Sequence, residues 1–410
     1  MNNTENRRDR LLKKTIEKVL AEEKELLSWL KSRSDYQAEL DYFLDITAAR
    51  GTAEIEARVG RPVLNLLCNQ VPLELIAAAG YQPVKVASGS LAEASFAAYS
   101  WPALMCPVIK GVLTKLEIDK AALKAPWVIP TTCDWVVKFW EARKMVDPSP
   151  GEVKFLELPH FRQETESQSK WLSEVIKLKE WLETVSRQKI ARKDLLEAES
   201  ALARVFVAVT QLKKARQEGR LSLIWFLLVI GSLFYDLPDQ WAQKVTELIN
   251  KLPQTATTGP KVFLAGSPIF YPNYKLPILI EEAHLRVVAD DLCSSERIFP
   301  PVGPLEDTSI HGLLASMAGR YHQGSLCPTF GDNERRVNNI LGQRNEAGLV
   351  GVIFVVLKGC HPYDLESSTI EMTLKNQGLR FLRLETDYAL EDRQNLLTRL
   401  EAFRHSLSGD

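Results

Sequence analysis

The sequence predicts an α/β protein: two Rossmann-like (flavodoxin-like) parallel-sheet domains related by a loose repeat, a helical connector between them, and an N-terminal helical arm. Three observations predict it. Short apolar runs alternate with amphipathic helical segments in two separate stretches, the pattern of wound parallel sheets. Between those stretches the strand pattern disappears and helical periodicity takes over. The two alternating stretches also resemble each other: PVLNLLCNQVPLELIAAAGYQPVKVA in the first answers to KVFLAGSPIFYPNYKLPILIEEAHLRVVADD in the second. A period this long indicates a duplicated domain, not a solenoid. The expected divisions are an arm over 1–45, an α/β domain over 46–163, a connector over 164–255 and a second α/β domain over 256–410.

In the arm, Leu11, Leu12, Ile16, Val19, Leu20, Leu26, Leu27 and Leu30 fall near helical spacing, which predicts a helix packed on the body or on a second subunit. Lys13, Lys14, Glu17 and Glu23 to Glu25 form its solvated face. From Arg61 the chain reads strand (PVLNLL), helix (LELIAAAG, with Gly80 at the C-cap), strand (PVKVA). WPALMCPVIKGVL and WVIPTTCDWVVKFWEA make a second round. WLSEVIKLKEWLETVSR, KDLLEAESALARVFVAVTQLKKARQ and SLIWFLLVIGSLF predict three connector helices. After the turn-rich LPQTATTGP, the second domain runs KVFLAG, LPILIEEA, LRVVADD, then GLVGVIFVVLKG, SSTIEMTLKNQG and LRFLRLET, closing in the helix RQNLLTRLEAFRHSL.

Lys+Arg number 51 and Asp+Glu 52, a net charge of −1, so the clustered positive charge that nucleic-acid binding requires is missing. The 15 uncharged residues between Arg220 and Asp236 fall short of the ~20 that cross a bilayer, which predicts a buried helix, or one covering a site or facing a partner. The charged, helical N-terminus does not read as a secretory signal. A cytoplasmic chain with reduced thiols is expected, and no membrane partner.

The six cysteines are therefore not expected to be staples. Cys68, Cys106 and Cys133 lie in the first half, Cys293, Cys327 and Cys360 in the second. None is spaced Cys-x-x-Cys, so zinc ribbons, ferredoxin runs and thioredoxin-type pairs lack their signature. Cys68, Cys133, Cys293 and Cys360 follow predicted strands, on the edge where open α/β sheets bind ligands. Pro107, Pro328 and Pro362 follow their cysteines by one or two residues, which predicts helix starts whose free N–H groups stabilise anionic sulfur. Any one cysteine alone reads as a buried, inert side chain. Six at strand-end turns, three in each half, argue for cluster ligands. Three thiolates leave one corner of a four-iron cubane open for chemistry.

LLCNQVPLELIAAAG, MCPVIKG, PTTCDWVVKFWE, RVVADDLCSSERIF, LCPTF, VGVIFVVLKGCHPYDLES and LRLETDYALEDRQNLLTRLEAF together resemble the 2-hydroxyacyl-CoA dehydratase and benzoyl-CoA reductase superfamily over nearly the whole chain after the arm. The resemblance implies that Cys68, Cys106 and Cys133 hold one cubane. The second set, Cys293, Cys327 and Cys360, resembles the double-cubane branch, in which two [4Fe-4S] cubanes share a bridging sulfide as an [8Fe-9S] cluster. It implies an oxygen-sensitive, homodimeric reductase of a small molecule, fed with low-potential electrons by a separate ATP-hydrolysing [4Fe-4S] activator. The chain itself contains no G-x-x-x-x-G-K-[ST] phosphate loop. A 2-hydroxyacyl-CoA dehydratase subunit with one [4Fe-4S] cluster, and a non-catalytic electron carrier, are the alternatives.

His361 and His322 are the candidate proton donors, or else satisfied loop residues. Arg297, Arg320 and Lys358 are candidates to offset thiolate charge. Glu74 matches a position that the family often fills with Glu, and both Glu74 and Asp134 suit a first helical turn.

Overall fold

The computed structural model describes residues 2–163, 165–254, 258–298 and 300–407. Its first sheet consists of β1 (Val63–Leu66), β2 (Gln82–Lys85), β3 (Trp127–Pro130) and β4 (Val153–Leu156), all parallel, in the order β2-β1-β3-β4. The second consists of β5 (Lys261–Gly266), β6 (Arg286–Asp290), β7 (Gly351–Leu357) and β8 (Arg380–Thr386), parallel and ordered β6-β5-β7-β8. The same winding occurs twice, so the internal likeness read from the sequence is a likeness of topology. It is the flavodoxin-like order, in which chain direction across the sheet reverses between the first and third strands and opens a crevice at their carboxyl ends.

The central strands are apolar on both faces because helices cover both. All of Val63–Leu66, Trp127–Pro130 and Gly351–Leu357 are buried, whereas the edge strand Arg380–Thr386 alternates with partly exposed positions. The one polar side chain in β1, Asn65, donates Nδ2–H to Ala122 O at 2.7 Å.

Between the sheets stand helices Thr165–Ser186, Arg192–Gln217, Leu223–Gly231 and Pro238–Lys251. Sequence reasoning expected three. The fourth opens on Pro238, where proline begins a helix because its missing N–H is an orphan there anyway. Every residue from Leu223 to Ile230 is buried, so the long apolar run is core and not a partner face. Among the described residues no helix is long and apolar enough to cross a membrane.

The arm, Asn2–Lys31, lies along its own chain. Glu22 accepts from Ser90 Oγ (2.6 Å) and Ala92 N (2.9 Å), capping the helix Leu91–Ala97 from outside, and Arg8 pairs with Glu117 at 2.6 Å. One hydrophobic core runs from Leu30 of the arm through Leu64 and Leu66, the connector's Trp171, Val205 and Leu228, to Leu264 and Val355 of the second sheet. The two sheets are thereby fixed relative to each other by shared packing, with their carboxyl edges facing across one crevice.

Candidate thiol crevice

All six cysteines are free thiols. Cys68, Cys133, Cys293 and Cys360 follow β1, β3, β6 and β7 by two or three residues. The chain crosses the crevice repeatedly to bring them together. Asn69 Nδ2 donates to Cys293 O (2.6 Å) and Arg297 O (2.7 Å), Trp135 Nε1 donates to Gly359 O (3.0 Å), and Thr329 Oγ1 donates to Thr132 O (2.6 Å). Gly359 has φ +80°, and a Cβ there would stand 2.3 Å from Leu104 O. Glycine is required at that point both for its φ and for the close approach of the two loops that carry Cys106 and Cys360.

The thiols fall into two environments, and the division is not the one between the halves. Cys106, Cys133 and Cys360 are the N-cap residues of helices Pro107–Ile118, Asp134–Val146 and His361–Asn376. First-turn N–H groups act on each sulfur: Val108 and Ile109 on Cys106, Trp135 and Val136 on Cys133, Tyr363 on Cys360. Cys106 and Cys360 interact directly. A proton held by Cys360 draws Cys106 below the ordinary thiol range and raises Cys360 well above it. Burial pushes Cys133 up to about 11.

Cys68, Cys293 and Cys327 line a cavity of about 190 Å³ together with Asn69, Gln70, Arg297 and Tyr321. None of these three starts a helix. Pro328, expected to open one, stands in a turn, and the next helix is Glu334–Ala347. Compensation here combines single backbone N–H groups, from Gln70 on Cys68 and from Thr329 on Cys327, with side-chain charge. Lys85 donates Nζ–H to Cys293 O at 2.7 Å, with Phe270 beneath it. Arg297 donates to Asp291 O and to Tyr363 Oη. Among the described residues neither cation forms an ion pair with a carboxylate. Burial pushes Cys68 up to about 12, opposed by the Gln70 N–H and then by Lys85, and raises Cys327, opposed by Arg297 and then by the Thr329 N–H. The two trios adjoin: Cys327 bears on both Cys68 and Cys133.

The structure groups neighbouring thiols differently from the expected one trio per half. Each group of neighbours takes thiols from both halves, because the carboxyl edges of the two sheets face each other. Among the remaining sequence candidates, only Arg297 reaches the cavity. Arg320 is consumed by Glu74 and Glu199, each at 2.6 Å, and Tyr321 Oη donates to Glu74 at 3.0 Å. Lys358 is exposed and pairs with Asp387 at 2.8 Å. His361 is the exposed first residue of its helix and Asp134 is exposed at the start of another. His322 is 1% exposed, stacked near Trp171 and Phe330 with Nε2 facing Pro159 O, and does not line the cavity. Sequence reasoning missed Lys85. A lysine ending an otherwise buried parallel strand was the available signal.

Among the described residues no three His, Cys, Asp or Glu side chains converge on one point as a single ion requires. A cubane places each thiolate on a separate iron corner, so its ligands stand further apart than those sharing one ion. The donor set is all thiol, which suits iron–sulfur clusters. Metal binding displaces the proton of a coordinating thiol. The two unpaired cations suit a thiolate-ligated group of net negative charge. The residues present fit iron–sulfur clusters.

Comparison with known proteins gives one family. The family model described as 2-hydroxyglutaryl-CoA dehydratase, D-component, matches residues 68–407. YjiM of Escherichia coli (strain K12), provisionally named a dehydratase subunit, is 25% identical over 84% of this chain and 91% of its own. The (R)-phenyllactyl-CoA dehydratase beta subunit of Clostridium sporogenes is 23% identical over 85% of this chain and 93% of its own. The beta subunit of (R)-2-hydroxyglutaryl-CoA dehydratase from Acidaminococcus fermentans is likewise 23% identical, with the same coverages of 85% and 93%.

Proposed function

Because this chain belongs to the family of the 2-hydroxyglutaryl-CoA dehydratase D-component, we propose that it is an iron–sulfur enzyme of that family specialised as a reductase. In this reading Cys68, Cys106, Cys133, Cys293, Cys327 and Cys360 together hold two [4Fe-4S] cubanes bridged by sulfide, an [8Fe-9S] double-cubane cluster. The observation that carries it is the convergence of all six thiols, from both halves, on one crevice as two adjoining trios. A single-cluster subunit needs only one such trio.

The bound group would supply low-potential electron transfer to a small molecule. The chain's own residues do the rest. The N-caps at Cys106, Cys133 and Cys360 present sulfur to first-turn N–H groups, and Lys85 and Arg297 balance charge around Cys68, Cys293 and Cys327. His361, exposed beside Cys360, is the proton donor to the reduced substrate, the role for which buried His322 is not placed. Electrons come from an ATP-hydrolysing [4Fe-4S] activator, in keeping with the lack of a phosphate loop in this chain, and the working unit is a homodimer.

A second reading, favoured by the names of the relatives, is a dehydratase beta-type subunit acting with a different partner chain on a 2-hydroxyacyl-CoA thioester. Iron and sulfide analysis of anaerobically reconstituted protein separates the two. About eight irons per chain supports the double cluster, and about four supports the dehydratase reading.

A further inference from the structure

We propose that Arg297, seconded by Lys85, is a positioning residue for electrons: it makes the Cys68/Cys293/Cys327 side of the crevice the place where the first electron settles. The inference rests on the double-cluster reading and deepens it.

Both trios receive backbone N–H groups, but the loop trio has in addition unpaired cationic side chains beside it. Around Cys106, Cys133 and Cys360 the positive potential comes from three helix N-termini, each equivalent to roughly half a charge that fades within the first turn. Two of those first turns carry a carboxylate, Asp134, which offsets it, and Asp364, which is paired with Arg383. Lys358, two residues before Cys360, is 57% exposed at its side chain and already paired with Asp387. Around Cys68, Cys293 and Cys327 stand two cationic side chains, Arg297 and Lys85, while the carboxylates lining the same cavity, Asp290 and Glu296, are already paired with Arg216 and Lys213. The Arg297 guanidinium lines the cavity itself, spends its hydrogen bonds on neutral oxygens, and is permanently charged. Lys85 is 6% exposed and reaches the Cys293 carbonyl. The next cation outward, Arg336, is neutralised by Asp291 and Glu366. A cation left unpaired in a poorly solvated crevice is costly unless an anion completes it.

Each one-electron reduction converts one ferric centre to ferrous and adds one negative charge, while the low-potential iron–sulfur donor is oxidised by one electron. No covalent bond to the chain is made or broken. The added charge settles where whole, unpaired cations face it. Arg297 and Lys85 thereby act through the cluster and need not touch substrate.

The test is a potentiometric titration, followed by electron paramagnetic resonance, of reconstituted protein whose iron content has been measured. In Arg297→Gln with wild-type iron content, the equilibrium constant for the first reduction falls about tenfold, a 59 mV lower midpoint for one electron. Arg297→Lys restores it. Lys358→Gln, on the other side, leaves both midpoints in place. An unchanged first midpoint in Arg297→Gln, a shift that Arg297→Lys fails to reverse, or an equal shift in Lys358→Gln would overturn the inference. Should Arg297→Gln fail to take up iron, Lys85→Met is read in its place by the same criterion. Failure of the underlying reading looks different: the wild-type protein then carries about four irons or none.

Discussion

The helix-cap trio (Cys106, Cys133, Cys360) and the loop trio (Cys68, Cys293, Cys327) perform the same kind of task with different shares of backbone and side chain. The first relies on backbone: three helices aim their free N–H groups at sulfur, and a glycine at 359 lets two loops touch. The second adds side chains to single N–H groups from Gln70 and Thr329. Lys85 and Arg297 supply charge, Asn69 ties the Cys293 turn to the Cys68 turn, and Tyr321 fixes the cavity wall while bonding Leu73 N and Glu74. A backbone device is built from residues adjacent in sequence. A side-chain device is assembled from distant ones, so that single substitutions can tune it.

The largest expected effects concern which thiols belong together. If the trios are as the structure groups them, Cys68→Ser and Cys327→Ser each abolish half the iron or more and leave the same residual spectrum, while Cys133→Ser leaves a different one. Matching residual spectra for Cys68→Ser and Cys133→Ser would instead restore the division by halves. Metal analysis with electron paramagnetic resonance decides.

Next in size is the support behind the loop trio. Arg320 joins Glu74 of the first half to Glu199 of the connector, both buried. Arg320→Met leaves two carboxylates without their partner and is expected to cost about 3–5 kcal/mol, read by urea unfolding of the apoprotein. A loss under about 1 kcal/mol would mean that this network is not structural.

The helix-cap trio breaks at Gly359. Gly359→Ala forces an L residue to φ +80° and drives a Cβ into Leu104 O, which is expected to cost about 1–3 kcal/mol and to separate Cys106 from Cys360. The measurable pair of consequences is a lower melting temperature and iron loss confined to the species that Cys133→Ser also loses.

The smallest effect is a pH slope. Burial, opposed by Arg320, raises Glu74 to about 7 from an ordinary 4.5. The folded protein then holds a proton that the unfolded chain releases between those values. Stability from this carboxyl is full below about pH 4.5 and lost as pH rises through about 7. Glu74→Gln should flatten apoprotein stability across that window. An undiminished slope in the variant would assign the proton elsewhere.

Much of the fold was legible because its signals are local. Apolar runs ending at Leu66, Pro130, Asp290 and Leu357 marked strands, and the cysteines just beyond them fell on the sheets' carboxyl edges. The proline signal worked at Cys106 and Cys360, where a helix follows, and failed at Cys327, where Pro328 sits in a turn. Proline fixes φ but does not supply the following helical turns. Cys133 caps a helix with no proline to announce it. Of the cations, Arg297 was nameable from its nearness to Cys293, whereas Lys85 lies 208 residues from the carbonyl it contacts.

By itself the sequence determined a doubled α/β chain with six cysteines, four of them just beyond strand ends, and membership of a thioester-dehydratase family, since periodicity, turn chemistry and motif are written over a few neighbouring residues. Only the tertiary structure decided which sulfur meets which, which cations stay unpaired, and that His322 serves packing. Those outcomes depend on how two sheets face each other across a shared core, and such long-range contacts leave no local trace in the chain.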